Sequence, residues 1–273
     1  MKSQSSRTDG DSAQDSKTAM QFRVVSYNIH KGIGGLDRRY RPERIVETLM
    51  RYKPDIVLLQ EVDDQVPRSR CDCQVELLAD ALEMKHHAFQ RNVKLKRGHY
   101  GNAILSRFPL TDVESIDLTI PLKKRRRALL AHCKLHFDGH QRSLLIGNVH
   151  LGLSGFERKT QLRRLLQSEV VQHTKRRTPT IIAGDYNDVW GELGKRIMLP
   201  AGFATVGKSV RTFPAALPMR GLDRVFYRGD LSADHAFASR SKIARQASDH
   251  LPLVVDFQLH TDTQVKSIDA AHR

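Results

Sequence analysis

Short apolar runs that each meet a polar side chain at one end constrain this chain more than any other feature. Phe22 to Ile29 carries Asn28 near its end, and Asp55 to Gln60 runs into Glu61. Ser143 to Leu151 carries His150, and Thr180 to Gly184 stops on Asp185, with Asn187 two residues on. Leu222 to Tyr227 begins beside Asp223, and Leu253 to Phe257 follows Asp249 and His250. Runs of this length, rich in β-branched residues, predict strands. One Asp after a strand is ordinarily a turn or cap residue. Eight such positions together predict that several strand ends converge on one site, held on loops by a rigid scaffold.

Helices are predicted between the strands. Pro42 opens one with Ile45, Val46, Leu49 and Met50 on a single face. Val75 to Leu82 forms a second. Leu162, Leu165, Leu166 and Val170 mark a third, whose other face holds Arg163, Arg164 and Gln167. Asn102 to Ser106 reads as a strand closed by Pro109. Leu129, Ala131, Cys133, Leu135 and Phe137 alternate on one strand face, with Asp138-Gly139 as a hairpin turn into the strand from Ser143. Hairpins mixed with strand–helix–strand units predict α/β architecture with mixed sheets. No linker interrupts residues 20–260, so they are read as one domain. Residues 1–19 and 261–273 are too polar to bury surface and are read as disordered tails. The first of these has the pattern of neither a secretory signal nor a transit peptide.

The cysteines, Cys71, Cys73 and Cys133, have no disulfide-framework spacing and make a poor zinc set. They are read as reduced thiols, which places the chain in the cytoplasm. No apolar run is long enough to span a membrane. Forty-five Lys and Arg against 30 Asp and Glu leave a formal charge of +15 and a pI of about 10.0. That balance favours polyanionic partners, either nucleic acid or an anionic membrane surface. Lys123, Lys124, Arg125, Arg126 and Arg127 form the densest basic run and are candidate phosphate contacts. Trp190, the sole tryptophan, is read as a packing residue.

The polar residue types suit one task. Oxygen donors without clustered thiolates fit a hard cation such as Mg²⁺, with Glu61 and Asp249 as carboxylates and Asn28 as a neutral oxygen. The histidines and the remaining carboxylates are left for proton transfer and for stabilising charge on phosphate oxygens. Phosphate-loop, nucleophile-elbow and zincin motifs are all missing from the sequence, which argues against those hydrolase classes.

These segments, taken in order, resemble the endonuclease–exonuclease–phosphatase (deoxyribonuclease-like) superfamily. They are Ser26-Tyr27-Asn28-Ile29-His30, Leu58-Leu59-Gln60-Glu61-Val62, Gly101-Asn102-Ala103-Ile104-Leu105-Ser106-Arg107, Gly147-Asn148-Val149-His150-Leu151, Ala183-Gly184-Asp185-Tyr186-Asn187-Asp188, Leu222-Asp223-Arg224-Val225-Phe226 and Ser248-Asp249-His250-Leu251-Pro252. The resemblance covers about Phe22 to Phe257. It implies a four-layer α/β sandwich, two packed mixed sheets flanked by helices. It also implies a Mg²⁺- or Mn²⁺-dependent phosphoesterase in which Glu61, Asn28 and Asp249 hold the metal and Asp185 activates a water. Asn187 and His150 would contact the phosphate, His150 as in the deoxyribonuclease and sphingomyelinase branches. His250 would stabilise developing charge, with Asp223 fixing its ring. His30 either lines the site or lies at the surface.

The substrate is less constrained. Gly221-Leu222-Asp223-Arg224 keeps only Asp-Arg of the segment usual in inositol 5-phosphatases, which lowers that reading. The positive charge puts nucleic acid first, then a phospholipid or small phosphodiester. A non-catalytic binding protein on this fold is the remaining alternative, and it is disfavoured because Glu61, Asp185 and His250 are all present.

Overall fold

The computed structural model describes residues 19–137, 139–206 and 210–260. In chain order the elements are β1 (Met20–Asn28), α1 (Pro42–Met50), β2 (Ile56–Asp64), α2 (Gln74–Ala81), β3 (His86–Lys94), β4 (His99–Ser106) and β5 (Leu110–Asp117). The chain continues through β6 (Arg127–Phe137), β7 (His140–His150), α3 (Gly155–Leu166), α4 (Glu169–His173), β8 (Thr180–Asp185) and β9 (Ala204–Thr205). It ends with β10 (Asp223–Arg228), β11 (Leu231–Ala238), α5 (Lys242–Ala247) and β12 (Leu253–Leu259).

Two six-stranded sheets result, in the orders β11-β12-β1-β2-β4-β3 and β5-β6-β7-β8-β10-β9. Each contains one parallel pair, β1 with β2 and β7 with β8, among antiparallel neighbours. A parallel pair needs a crossover, and α1 supplies it in the first sheet, α3 and α4 in the second. Phe22, Val24, Ile56, Leu58 and Val255 from one sheet pack with Leu129, Ala131, Ile146, Ile181 and Val225 from the other. Each fully buried side chain of this kind contributes about 1.5–3 kcal/mol. Alternate residues of the same strands face outward. Val25, Val57 and Leu59 meet α1 and α2, while Leu145 and Ile182 meet α3 and α4. Helix, sheet, sheet, helix is therefore the layer order, the four-layer mixed-sheet sandwich expected.

Some elements differ from the sequence reading. The helix drawn through Val170 breaks at Ser168, whose extended backbone starts α4 as a separate turn. Strands β3, β5 and β11 and helix α5 were not read from the sequence. Three of these are edge or polar elements with little alternation, as in LTDVESID of β5. Leu129, Ala131, Cys133 and Leu135 do line one buried face. Asp138 of the predicted hairpin, the Phe137 side chain and both proposed tails, Ala19 apart, lie outside the described residues. All three cysteines are free, Cys133 buried and the other two half-buried. Among the described residues no helix is long and apolar enough to cross a membrane.

Candidate active site

The site continues the inner faces of the two sheets. Along β7, Leu144 and Ile146 face the other sheet, and the next residues of that period are Asn148 and His150. In β8, Ile181 and Ala183 lead to Asp185, and in β10 Val225 follows Asp223. Register places His150 beside Asp185 and Asp185 beside Asp223 on three neighbouring strands. The same period in β1 runs Phe22, Val24, Ser26, Asn28. Apolar packing therefore gives way to polar groups at one end of the interior. Gln60 Nε2 donates to Asn148 Oδ1 across the sheets at 2.8 Å, and Asn148 Nδ2 donates to the Leu59 and Ala103 carbonyls. These two motif residues thus fasten one sheet to the other beneath the site. Gly184 has φ of +144°, and a Cβ there would overlap the Val149 carbonyl, so only glycine keeps β7 and β8 this close beside Asp185.

Asp185 lies at the centre. Its Oδ1 accepts from the Asn187 N–H at 2.9 Å and its Oδ2 from Asn28 Nδ2 at 3.1 Å. His150 Nε2 and His250 Nε2 approach Oδ2 at 3.6 and 3.8 Å. His250 is fixed from behind: Nδ1 meets Asp223 Oδ2 at 2.8 Å, Thr212 donates to the same oxygen, and the Phe213 ring packs 4.9 Å away. Asp223 therefore serves His250, while Arg224 donates elsewhere, to the Asp188 carbonyl. Burial disfavours the His250 cation, but Asp223 and Asp185 outweigh it and hold the ring protonated, with a pKa of about 10. His150 is the reverse case. Burial, helped by Arg126, pulls it down to about 4, so at neutral pH one imidazole is charged and the other is not. Asn187 Nδ2 donates to the Leu151 carbonyl at 3.1 Å, which aims the amide along the same wall.

The Glu61 side is built by an irregularity. Between Leu59 and Val62 strand β2 has an extra residue relative to β4, and Glu61 takes φ of +60°. The bulge re-aims a side chain that strict alternation would send to the helices. Burial raises the Glu61 pKa, but His150 and Lys31 lower it further, to about 2. With His150 neutral, the Lys31 ammonium, which hydrogen-bonds Glu61, is the charge that keeps it ionised. Asn28 Oδ1 accepts from the His30 N–H at 3.1 Å. Ser248 Oγ donates to the Asn28 carbonyl at 2.7 Å and lies 3.4 Å from Asp249 Oδ1, tying the Ser-Asp-His segment to β1. Asp249 Oδ2 is 4.0 Å from His30 Nε2, so His30 lines this side.

All eight predicted residues thus gather at one end of the sandwich. Among the described residues no cluster of three or more His, Cys, Asp or Glu has metal-holding geometry. The donor chemistry still fits a hard cation. Glu61 is an ionised, largely buried carboxylate whose charge is met by an ammonium, and Asn28 and Asp249 add oxygens alone.

The sequence reading missed Lys31, Thr212 and Tyr100. Lys31 and Thr212 follow no motif spacing visible in one chain, and Tyr100 passes for a strand aromatic. The basic run proves heterogeneous: Lys123, Lys124 and Arg125 are exposed, whereas Arg126 is buried. Trp190 is 82% exposed, which corrects its reading as a packing residue. The loop after β8 turns it outward.

Residues 25–250 match the model of the Endonuclease/Exonuclease/phosphatase family. The uncharacterized protein YbhP of Escherichia coli (strain K12) is 30% identical over 257 residues, covering 90% of this chain and 99% of that protein. An endonuclease/exonuclease/phosphatase from Beutenbergia cavernae DSM 12333 superposes with a TM-score of 0.73 at 24% identity, covering 88% of this chain and 72% of that one. D. rerio TDP2, complexed with a single-strand DNA product, superposes with a TM-score of 0.62 at 23% identity over 87% and 98% of the two chains. The motif order, the paired mixed sheets and a family match spanning both sheets agree. The chain belongs to the endonuclease/exonuclease/phosphatase family.

Proposed function

We propose that this protein hydrolyses a phosphodiester by direct attack of water. The observation that carries the reading is a cation and a base held face to face. His250 has one ring nitrogen on Asp223 and the other 3.8 Å from Asp185. A water between Asp185 and the phosphorus gives its proton to the carboxylate as its oxygen bonds to phosphorus. The opposite P–O bond breaks, and the leaving oxygen takes up a proton from solvent, leaving a phosphomonoester and an alcohol. Imidazolium His250 stabilises charge on the phosphate oxygens, and Asn187 and neutral His150 orient the group by hydrogen bonds without adding charge. Glu61, with Asn28 and Asp249, would hold a Mg²⁺ or Mn²⁺ ion, which when bound neutralises charge on the phosphate. No side chain becomes a covalent nucleophile.

Nucleic acid is the substrate class favoured. The net charge of +15 supports it, as does the single-strand DNA product bound by the TDP2 neighbour. A phospholipid is the second reading, supported by a separate observation. Leu36, Leu122, Leu153, Trp190 and Leu217 are exposed on loops at the end of the sandwich that carries the site, and Phe156 is exposed in the first turn of α3 beside them. Apolar tips set among basic residues suit an anionic lipid surface. Assay of a panel of single-stranded DNA, duplex DNA, RNA, anionic phospholipid vesicles and bis(p-nitrophenyl) phosphate with added Mg²⁺ or Mn²⁺ tests the reading. Cleavage of a nucleic acid supports the first choice, and cleavage of lipid alone supports the second. Hydrolysis of none of them removes the catalytic reading.

A further inference from the structure

Arg126 is an anomaly. Only 5% of its surface is exposed, its Nε is buried without a hydrogen-bond partner, and no carboxylate among the described residues pairs with it. A buried, unpaired guanidinium is costly, and native proteins retain such groups where a ligand completes them. Its neighbours deepen the imbalance. Lys124 reaches over the Tyr100 ring at 5.1 Å, with Lys31 and Arg68 each 5.7 Å from the same ring. Glu61 answers Lys31, and Asp63 answers Arg68 through two hydrogen bonds. Among the described residues no carboxylate forms a close ion pair with Arg126 or Lys124; Glu157 acts on the first and Glu61 on the second only through space. The buried Tyr100 hydroxyl faces the Glu61 carboxylate in the same pocket. Arg126 and Lys124 repel one another, and Glu61, already paired with Lys31, offsets that crowding only in part.

The position is built, not incidental. The Arg126 N–H donates to Thr119 Oγ1, its carbonyl accepts from the Leu118 N–H at 2.9 Å, and Asn102 Nδ2 donates to the Arg127 carbonyl. β6 starts at Arg127 and runs antiparallel to β7, which puts Arg126 beside the His150 end of the site. His250 and Asp223 lie on the far side, across β7 and β8.

We propose that Arg126, Lys124 and Tyr100 form a seat for a second phosphate group of the substrate, next to the scissile one. The substrate is then a chain carrying consecutive phosphates, as a polynucleotide does, and not a single isolated diester. This rests on the reading that the Asp185–His250 site takes a phosphodiester. Like-charge crowding here is relieved when a phosphate accepts from the guanidinium, the ammonium and the phenol together, the guanidinium being suited to bidentate contact.

Equilibrium titration of the full chain with the thymidine dinucleotide TpT and with its doubly phosphorylated form pTpTp tests this. Chelator prevents turnover, so the result does not depend on catalysis. The wild type binds pTpTp more tightly by at least about tenfold, the range expected of a hydrogen bond to a charged group. Arg126→Gln and, independently, Lys124→Ala shrink that preference several-fold, while Arg126→Lys keeps part of it. Arg51→Gln removes the same charge from an exposed position after α1, away from the site, and retains the preference. Equal affinities in the wild type, no binding of pTpTp, or equal losses in Arg51→Gln and Arg126→Gln overturn the proposal. A pTpTp preference without hydrolysis of any diester leaves the seat standing and defeats the catalytic reading alone.

Discussion

His250 Nδ1 lies 2.8 Å from Asp223 Oδ2, and this contact sets both the charge of the ring and the direction of its other nitrogen. Removing the carboxylate leaves burial opposed only by Asp185 and Asp249, so the His250 pKa falls. In Asp223→Asn, activity is therefore lost at lower pH than in the wild type, which keeps the imidazolium until about pH 10. Stability follows the same linkage. A folded pKa raised from 6.5 contributes fully below pH 6.5, and the contribution is lost as pH rises toward about 10. The Tm difference between wild type and Asp223→Asn should be largest in mild acid and shrink through that window.

Asp185→Asn keeps the shape and the contact with Asn28 while removing the base. Single-turnover hydrolysis should slow by roughly two to four powers of ten, with substrate affinity little changed. An unchanged chemical rate would assign proton removal to another group.

Metal dependence is expected from the donor set around Glu61. Activity should vanish in excess EDTA and return with Mg²⁺ or Mn²⁺. Glu61→Gln should abolish the return while circular dichroism reports an intact fold. Full turnover after verified metal removal would discard this part of the mechanism.

Salt separates the polyanion classes. If the exposed residues Lys123, Lys124 and Arg125 contact nucleic-acid phosphates, log affinity falls linearly with log salt at about −0.7 to −0.9 per contact. Changing all three to Ala should make the slope shallower. Tighter binding to anionic vesicles than to either single strand or duplex would favour the lipid reading.

How much of this was legible in the sequence depends on what each residue obeys. Asn28, His150, Asp185 and Asp223 obey strand alternation. Once the strands are placed, the period of two puts them beyond Val24, Ile146, Ala183 and Val225 on the inner face. Glu61 breaks that period, and only its motif marked it, because the bulge that turns it inward is a property of two paired strands. Lys31, Thr212 and Tyr100 escaped for a similar reason. Each acts through a partner that only the fold brings near, Glu61 for Lys31 and Tyr100, and Asp223 for Thr212. The five consecutive basic residues looked alike in sequence, and packing alone distinguishes buried Arg126 from exposed Arg125. Trp190 shows the converse: composition favours burying a lone tryptophan, but the loop that follows Asp185 exposes it.

The central claim is that water attacks phosphorus directly at the Asp185–His250 site. Hydrolysis of a nucleic-acid diester bearing a chiral phosphorothioate, in isotopically labelled water, tests it most directly. One in-line displacement predicts inversion of configuration at phosphorus, with the label in the new phosphomonoester. Retention of configuration, which requires two displacements and a covalent intermediate on the protein, would contradict it.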